Sequence, residues 1–273
     1  MNRTLTDEVK QRYGWTAREV IQKEFSQLTV LGACCGGGED GACCSTTDAG
    51  HVHGAEPAAA FGSSLYPATQ TQSLPSLAVS ASCGCGNPTA LASISEGQTV
   101  LDLGSGSGVD AFLAAGLVGS QGKVYGVDMT SEMVALANSA KRSAGLDNVE
   151  FLTGEMEKVH LPDGSVDVVI SNCSINLAQD KHAVFAEISR VLRPGGLIAI
   201  CDVLASDALS PEDRAARGSY VDCIAGALSV GECTQALERA GFSDVHIDLT
   251  HPVADEIFAA CITGRQQVDA SAV

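Results

Sequence analysis

With 273 residues, the chain fits one sizeable α/β domain with additions, or two small ones, and is long enough to bury a full core. Its formal net charge is −17, its pI is near 4.5, and no Lys/Arg cluster exists to neutralise phosphates, which argues against nucleic acid or an anionic membrane as partner and favours a small substrate. No uninterrupted apolar run reaches a membrane span and the stretch Met1 to Glu8 lacks the apolar core of a signal peptide, so a cytoplasmic protein is predicted.

Eleven cysteines is a high count for that compartment, where structural disulfides are rare. Cys201, Cys233 and Cys261 fall in apolar or helical patterns and read as small core or surface residues. The other eight need a different explanation. Leu5 to about Leu31 carries apolar positions at helical spacing (Val9, Tyr13, Val20, Ile21, Phe25), and Tyr13-Gly14 predicts a break between two helices. Such a helical segment either caps a ligand or braces the fold. Residues 32–54 are nearly all Gly, Ala, Cys and small polar residues, so disorder until something binds is predicted. The adjacent pairs Cys34-Cys35 and Cys43-Cys44 lack the usual C-x-x-C spacing of structural zinc and suit a soft ion or reversible disulfide chemistry. His51 and His53 read as exposed loop residues.

Phe61 to Ser82 predicts a loop or short-turn connector punctuated by Tyr66-Pro67 and Leu74-Pro75. A thiol-bearing turn, Ser82-Cys83-Gly84-Cys85-Gly86-Asn87-Pro88, leads into a short helix over 88–93. Then Thr99 to Val109 brings an apolar run to Gly104, Gly106 and Gly108, a buried strand turning tightly into a helix whose N-terminus adds partial positive charge. The spacing is G-x-G-x-G, unlike the G-x-G-x-x-G of dinucleotide loops, and Asp102 before it suits a cationic amine better than a pyrophosphate. A second strand, 123–127, ends at Asp128, at the distance where an acidic residue binds ribose hydroxyls.

Leu-Asp-Leu-Gly-Ser-Gly-Ser-Gly followed by Val-Asp-Met-Thr resembles the S-adenosylmethionine-dependent methyltransferases of the Rossmann-like class, which implies an α/β fold with a seven-stranded, mostly parallel sheet. The remaining pattern continues as helices over 108–117 and 130–144 and a strand over 149–152. In this class the segment after the third strand, here Gly154-Glu155-Met156-Glu157, contacts the adenine, with Glu155 facing its amino group. A fourth strand, 165–170, delivers Ser171-Asn172-Cys173 to the carboxyl edge of the sheet, where open α/β sheets bind ligands. A helix over 181–192, a turn at Arg193-Pro194-Gly195-Gly196, a fifth strand over 197–202, a helical insertion through 206–228, a helix over 234–240 and two antiparallel strands, 245–249 and 256–263, complete the pattern, with 265–273 frayed.

Cys-Gly-Asn-Pro at 85–88, Ser-Asn-Cys-Ser-Ile-Asn-Leu at 171–177 and Cys-Ile-Ala-Gly-Ala-Leu at 223–228 resemble the arsenite methyltransferase family more closely, from about Tyr66 to Thr263. The expected organisation is a helical, Cys-rich flexible segment over 1–80, a methyltransferase domain over 81–264 and a disordered tail over 265–273. It implies that Cys85, Cys173 and Cys223 bind trivalent arsenic and act in catalysis, and that a cysteine among Cys34, Cys35, Cys43 and Cys44 helps hold or relay it. S-adenosylmethionine would contact Asp102, Gly104, Ser105, Gly106, Gly108, Asp128, Met129, Glu155, Met156 and Asn172. The implied substrates are arsenite and methylarsenite, the implied partner is an external thiol reductant of thioredoxin or glutathione type, and a monomer is expected. Val109 replaces an arginine common in the family, Tyr220 a tryptophan, and Cys83 is an added thiol. Methylation of a quinone or other small carbon acceptor, and a non-catalytic thiol-rich arsenic-binding protein, are the alternatives.

Overall fold

The structure, a computed structural model, describes residues 4–33 and 61–268; Cys34, Cys35, Cys43, Cys44, His51 and His53 lie outside them. Leu5–Ala33 form one continuous helix, α1, with no break at Tyr13-Gly14. Gly14 is a close-approach residue instead. Its Cβ would stand 3.2 Å from the Glu132 carboxyl, where α1 crosses a later helix and Arg18 pairs with Glu132. The connector folds as short helical turns, among them Ala68–Thr71 (α2) and Ser76–Ser80 (α3), each opened by a proline at its N-cap. Pro88–Leu91 (α4) is capped by Asn87, whose side chain accepts from the Ala90 N–H at 3.1 Å.

The β-α alternation then runs Thr99–Leu103 (β1), Val109–Val118 (α5), Lys123–Asp128 (β2), Ser131–Ala144 (α6), Val149–Thr153 (β3), Val166–Asn172 (β4), Lys181–Val191 (α7) and Leu192–Ala205 (β5). Pro211–Arg217 (α8), Leu228–Ser229 (β6), Val230–Arg239 (α9), Phe242–Ala254 (β7) and Ile257–Gln266 (β8) follow. Strands β1 to β5 pair in parallel in the order β3-β2-β1-β4-β5, and β8 and β7 extend the sheet antiparallel. The sheet has eight strands because the two-residue β6 pairs with the end of β5; the seven long strands follow the class expectation. Alternation along the strands fills both faces: Leu101 and Leu103 enter one apolar cluster with α7 and α9, Val100 and Val168 the other with α5 and α6.

Several boundaries differ from the sequence reading: β7 runs Phe242–Ala254 where 245–249 is predicted, and α9 starts at Val230 where 234 is predicted. Arg193-Pro194-Gly195-Gly196 is looped out within β5, since pairing jumps from Val166–Leu192 to Val168–Leu197. Strand β8 continues to Gln266, opposite Phe242, so Arg265 and Gln266 are ordered by pairing, and Arg265 also donates to the Gly195 carbonyl at 2.7 Å. Capping boxes at Ser210/Asp213 and Ser229/Glu232 start α8 and α9.

Candidate active site

Strand order reverses between β1 and β4, and a cavity of about 240 Å³ opens outside their carboxyl ends. Asp102, Gly104, Ser105, Gly106, Asp128, Met129, Glu155, Met156 and Asn172 all line it. The glycines of the loop differ in purpose. Gly106 (φ 51°) meets no protein atom within 4 Å at its Cβ position and leaves its wall open, whereas Gly104 (φ 70°) makes way for Ser174. Gly108 lies off the cavity wall; it caps α5 at φ 92°, and a Cβ would come within 2.6 Å of Phe151. Its requirement is helix-to-sheet packing, not ligand approach.

Three carboxylates crowd one side of the cavity. Asp102 is 2% exposed and its Oδ2 has no hydrogen-bond partner among the described residues. Burial, then the Asp110 and Asp128 charges, holds its carboxyl well above the usual range. Asp110 is pushed up to about 6 by burial, against hydrogen bonds from Asn172 and Tyr66 that hold it down. Asp128 is also raised by burial, although it accepts the Gly106 N–H at 2.9 Å and the Thr130 N–H at 2.8 Å. The Thr130 side chain also bonds to it, and the carboxylate, with about four acceptor sites, retains capacity for a ligand hydroxyl. Such a group of buried acids at one end of a cavity favours a ligand bearing positive charge.

Cys85, Cys173 and Cys223 come from the turn before α4, the end of β4 and the segment after α8, and they meet in one apolar cluster beside the cavity. The Cys173 and Cys223 sulfurs lie within 4.8 Å of each other, Cys85 shares their apolar cluster but falls outside that closer group, and the Cys223 thiol donates to the Cys173 carbonyl at 3.3 Å. Burial raises Cys173 and Cys85; in Cys223 a hydrogen bond with Cys173 works downward, but burial and the Asp202 and Asp222 charges outweigh it. All three are therefore neutral thiols near neutral pH. Cys173 (φ 55°) and Cys223 (φ 63°) also hold left-handed backbone, which costs an L residue roughly 1–2 kcal/mol. Cys173 lines the cavity, whereas Cys85 and Cys223 stand behind it.

Asn172 lines the cavity but is engaged at both ends by the protein. Its Oδ1 accepts the Cys85 N–H at 2.9 Å; its Nδ2 faces the Tyr66 hydroxyl (2.9 Å), the Gly86 carbonyl (2.8 Å) and Asp110 (3.0 Å). It positions the Cys85 turn, and Gly84 is a glycine because a Cβ there would overlap the Asn172 amide. Tyr66 completes the net by donating to Asp110 at 2.8 Å.

Sequence reasoning missed Tyr66, Asp110 and Asp202. The ligand atoms of Asp202, Cys173 and Cys223 lie within 4.8 Å of one another. Asp202 accepts from Asn176 Nδ2 at 2.9 Å and the Val203 N–H at 2.8 Å, and burial pushes it up to about 6. An acidic residue inside an apolar strand, the signal that singles out Asp102, was present at Asp202 as well. Helix α1 both braces and caps: it packs on α6, and its Thr6, Val9 and Tyr13 enter the cavity wall. Gln179 donates to Thr6 at 2.7 Å across the mouth, and Cys83 sits exposed in that wall. Val109 is part of the wall too, and the Tyr220 hydroxyl donates to the Ala178 carbonyl at 2.8 Å.

Residues 94–241 match the family described as Methyltransferase domain. An arsenite methyltransferase of Halobacterium salinarum is 42% identical over 84% of this chain and 58% of its own length, and one of Aquipseudomonas alcaligenes is 42% identical over 63% and 51%. The chain thus spans about half the length of these curated relatives. Among solved structures, an arsenic(III) S-adenosylmethionine methyltransferase of Chlamydomonas reinhardtii superposes with a TM-score of 0.60 at 33% identity, covering 78% of this chain and 74% of that one.

Proposed function

We propose a function from one premise: the chain belongs to the arsenite methyltransferase family of S-adenosylmethionine-dependent enzymes. On that premise it transfers methyl groups to trivalent arsenic held by Cys85, Cys173 and Cys223, with arsenite and methylarsenite as substrates. The observation that carries this reading is the convergence of three thiols, remote in sequence, in one buried cluster of which Cys173 faces the donor cavity.

The cavity residues fit the methyl donor. The buried Asp102 Oδ2 without a partner suits the amino group of a zwitterionic ligand, and the open side of Gly106 admits close approach to the loop. Asp128 keeps acceptor capacity for ribose hydroxyls, and Glu155 and Met156 line the same cavity, where the adenine would lie. When bound, S-adenosylmethionine supplies a methyl group carried on positively charged sulfur.

The thiols fit the acceptor. Arsenite reaches the site as a neutral hydroxide, and each hydroxyl it loses leaves as water with one thiol proton. Neutral buried thiols therefore bind it without creating a charge in the apolar cluster. Three sulfur ligands suit a soft trivalent centre and serve hard cations poorly. They orient the substrate toward the cavity that Cys173 lines, and their electron donation raises the nucleophilicity of the arsenic lone pair. Attack by a lone pair releases no proton from the acceptor, so no general base is required. A disulfide formed among the cysteines as an oxidised product is reduced would be cleared by an external thiol of thioredoxin or glutathione type.

The test is incubation of the protein with methyl-labelled S-adenosylmethionine, thiol and arsenite. Label on arsenic is the expected result. Label moving only to a quinone or other carbon acceptor, or arsenic bound without label transfer, overturns the proposal.

A further inference from the structure

Cys201 and Cys261 stand outside the cavity wall, and the proposed reaction does not use them. They occupy directly opposed positions of the antiparallel strands β5 and β8, with sulfurs 3.4 Å apart. Opposed residues of antiparallel strands hold their Cβ atoms about 4.5–5.5 Å apart, close to the span a disulfide requires. Small side-chain rotations close the gap.

The two thiols are unequal. Cys201 is fully buried, and the turn carrying Cys85 lies on it: a Cβ on Gly86 would stand 2.6 Å from the Cys201 sulfur and 3.9 Å from that of Cys261. Cys261 is half-buried and reachable from solvent. We propose that Cys201 and Cys261 form a redox-active dithiol that exchanges with low-molecular-weight disulfides of the glutathione class, with Cys261 attacking and Cys201 resolving.

The exchange has two steps. Cys261 thiolate attacks one sulfur of the external disulfide, forming a mixed disulfide and releasing one thiolate. Cys201, passing its proton to the thiolate just released, then attacks the Cys261 sulfur and releases the second thiolate. Two electrons pass from the dithiol to the external disulfide, and two external thiols reverse the sequence. The local electrostatics favour this division of labour. A hydrogen bond from Cys201 holds the Cys261 thiol below its ordinary range, outweighing burial and the charge of Asp248 opposite it on β7, while the same contact pushes Cys201 up. Cys233, by contrast, is buried in the main apolar cluster and is a core residue.

Arg214 and Arg239 lie between the two cysteines, so tryptic cleavage puts them on separate peptides. The full chain is equilibrated in glutathione buffers of rising disulfide fraction, quenched in acid, alkylated and digested. A crosslink joining the Cys201 and Cys261 peptides is the expected product in the unmutated chain. Cys201→Ser is expected to trap glutathione on Cys261 at roughly tenfold the level that Cys261→Ser accumulates on Cys201. No crosslink between these peptides at any ratio overturns the proposal, as does glutathione accumulating equally in the two variants. If either serine variant fails to fold, the crosslink in the unmutated chain decides.

Discussion

The donor cavity and the thiol cluster share a wall at Cys173 but are assembled differently. Most of the cavity comes from successive strand ends and the turns that follow them, so one stretch of chain, 102–110, supplies two of its glycines, Gly104 and Gly106, and two of its acids, Asp102 and Asp110. The thiol cluster needs the turn before α4, the end of β4 and the segment after α8 to meet, through contacts such as Cys223 to Cys173 and Asn172 to Cys85. A cavity built locally tolerates change elsewhere; a cluster built from remote segments depends on the whole fold to keep its register. The two should therefore fail separately. Cys173→Ser tests this most severely, with arsenite methylation expected to fall by at least about 10²-fold as the acceptor loses its fixed position. S-adenosylmethionine binding, followed by calorimetric titration, should be unchanged. Undiminished methylation would return the protein to the carbon-acceptor reading.

The reciprocal change is Asp102→Asn. Removing the charge from the carboxylate whose Oδ2 lacks a partner should weaken S-adenosylmethionine binding by roughly 10- to 100-fold, the range of a charge-assisted hydrogen bond, and leave arsenite binding by the cysteines intact. The ligand-free variant should also melt higher than the parent, because a buried carboxyl disfavoured by burial and by the Asp110 and Asp128 charges is gone. Equal losses of donor and arsenite binding would mean that the two regions are a single unit.

This division decides what the sequence could reveal. Asp102, the glycines and Asp128 are legible because strand-turn-helix grammar is local, and the β-α alternation positions them with little help from distant contacts. The cysteines are legible as unexplained thiols and, through resemblance, as a set; nothing in their spacing says that residues 85, 173 and 223 share one buried cluster. The net of Tyr66, Asp110 and Asn172 is hidden for the same reason, since each hydrogen bond in it joins residues far apart in the chain. Gly14 misleads in the opposite direction: read alone it breaks a helix, but the close crossing with α6 supplies a tertiary reason for glycine. Looping out of residues 193–196 inside β5 likewise depends on partner strands that the local sequence does not contain.

Even within the local half, the loop glycines should separate. Gly108→Ala places a methyl group against Phe151 on left-handed backbone at φ 92° and should cost roughly 2–4 kcal/mol of stability. Molecules that remain folded should bind S-adenosylmethionine as before. Gly106→Ala, at φ 51° and with open space around it, should cost only about 1–2 kcal/mol but weaken binding several-fold. Thermal unfolding paired with ligand titration separates the two, and a binding defect confined to Gly108→Ala would exchange the roles of these glycines.

A pH dependence is shared by both regions, since Asp110 belongs to the cavity and Asp202 to the thiol cluster. Burial raises each from 3.8 to about 6, so both are readily protonated in the folded protein and ionise more easily once unfolded. The unfolded state therefore loses these protons first. Stability that is complete below pH 3.8 declines as pH rises through about 6, by up to roughly 3 kcal/mol per carboxyl. Glu187 and Glu232, lowered by hydrogen bonds from Arg190 and Arg214, work in the other direction and lose their contribution as pH falls below 4.5. Ligand-free protein should thus melt at its highest temperature in mildly acidic buffer and lower at neutrality. Asp110→Asn and Asp202→Asn should each flatten the decline. Because Asp110 flanks the donor cavity, a cationic donor favours its ionised form, and saturating S-adenosylmethionine should remove its share of the slope but leave that of Asp202. A melting temperature that instead climbed steadily to neutral pH would mean that these carboxyls are not penalised by burial, and the positive ligand inferred for the cavity would lose its electrostatic basis.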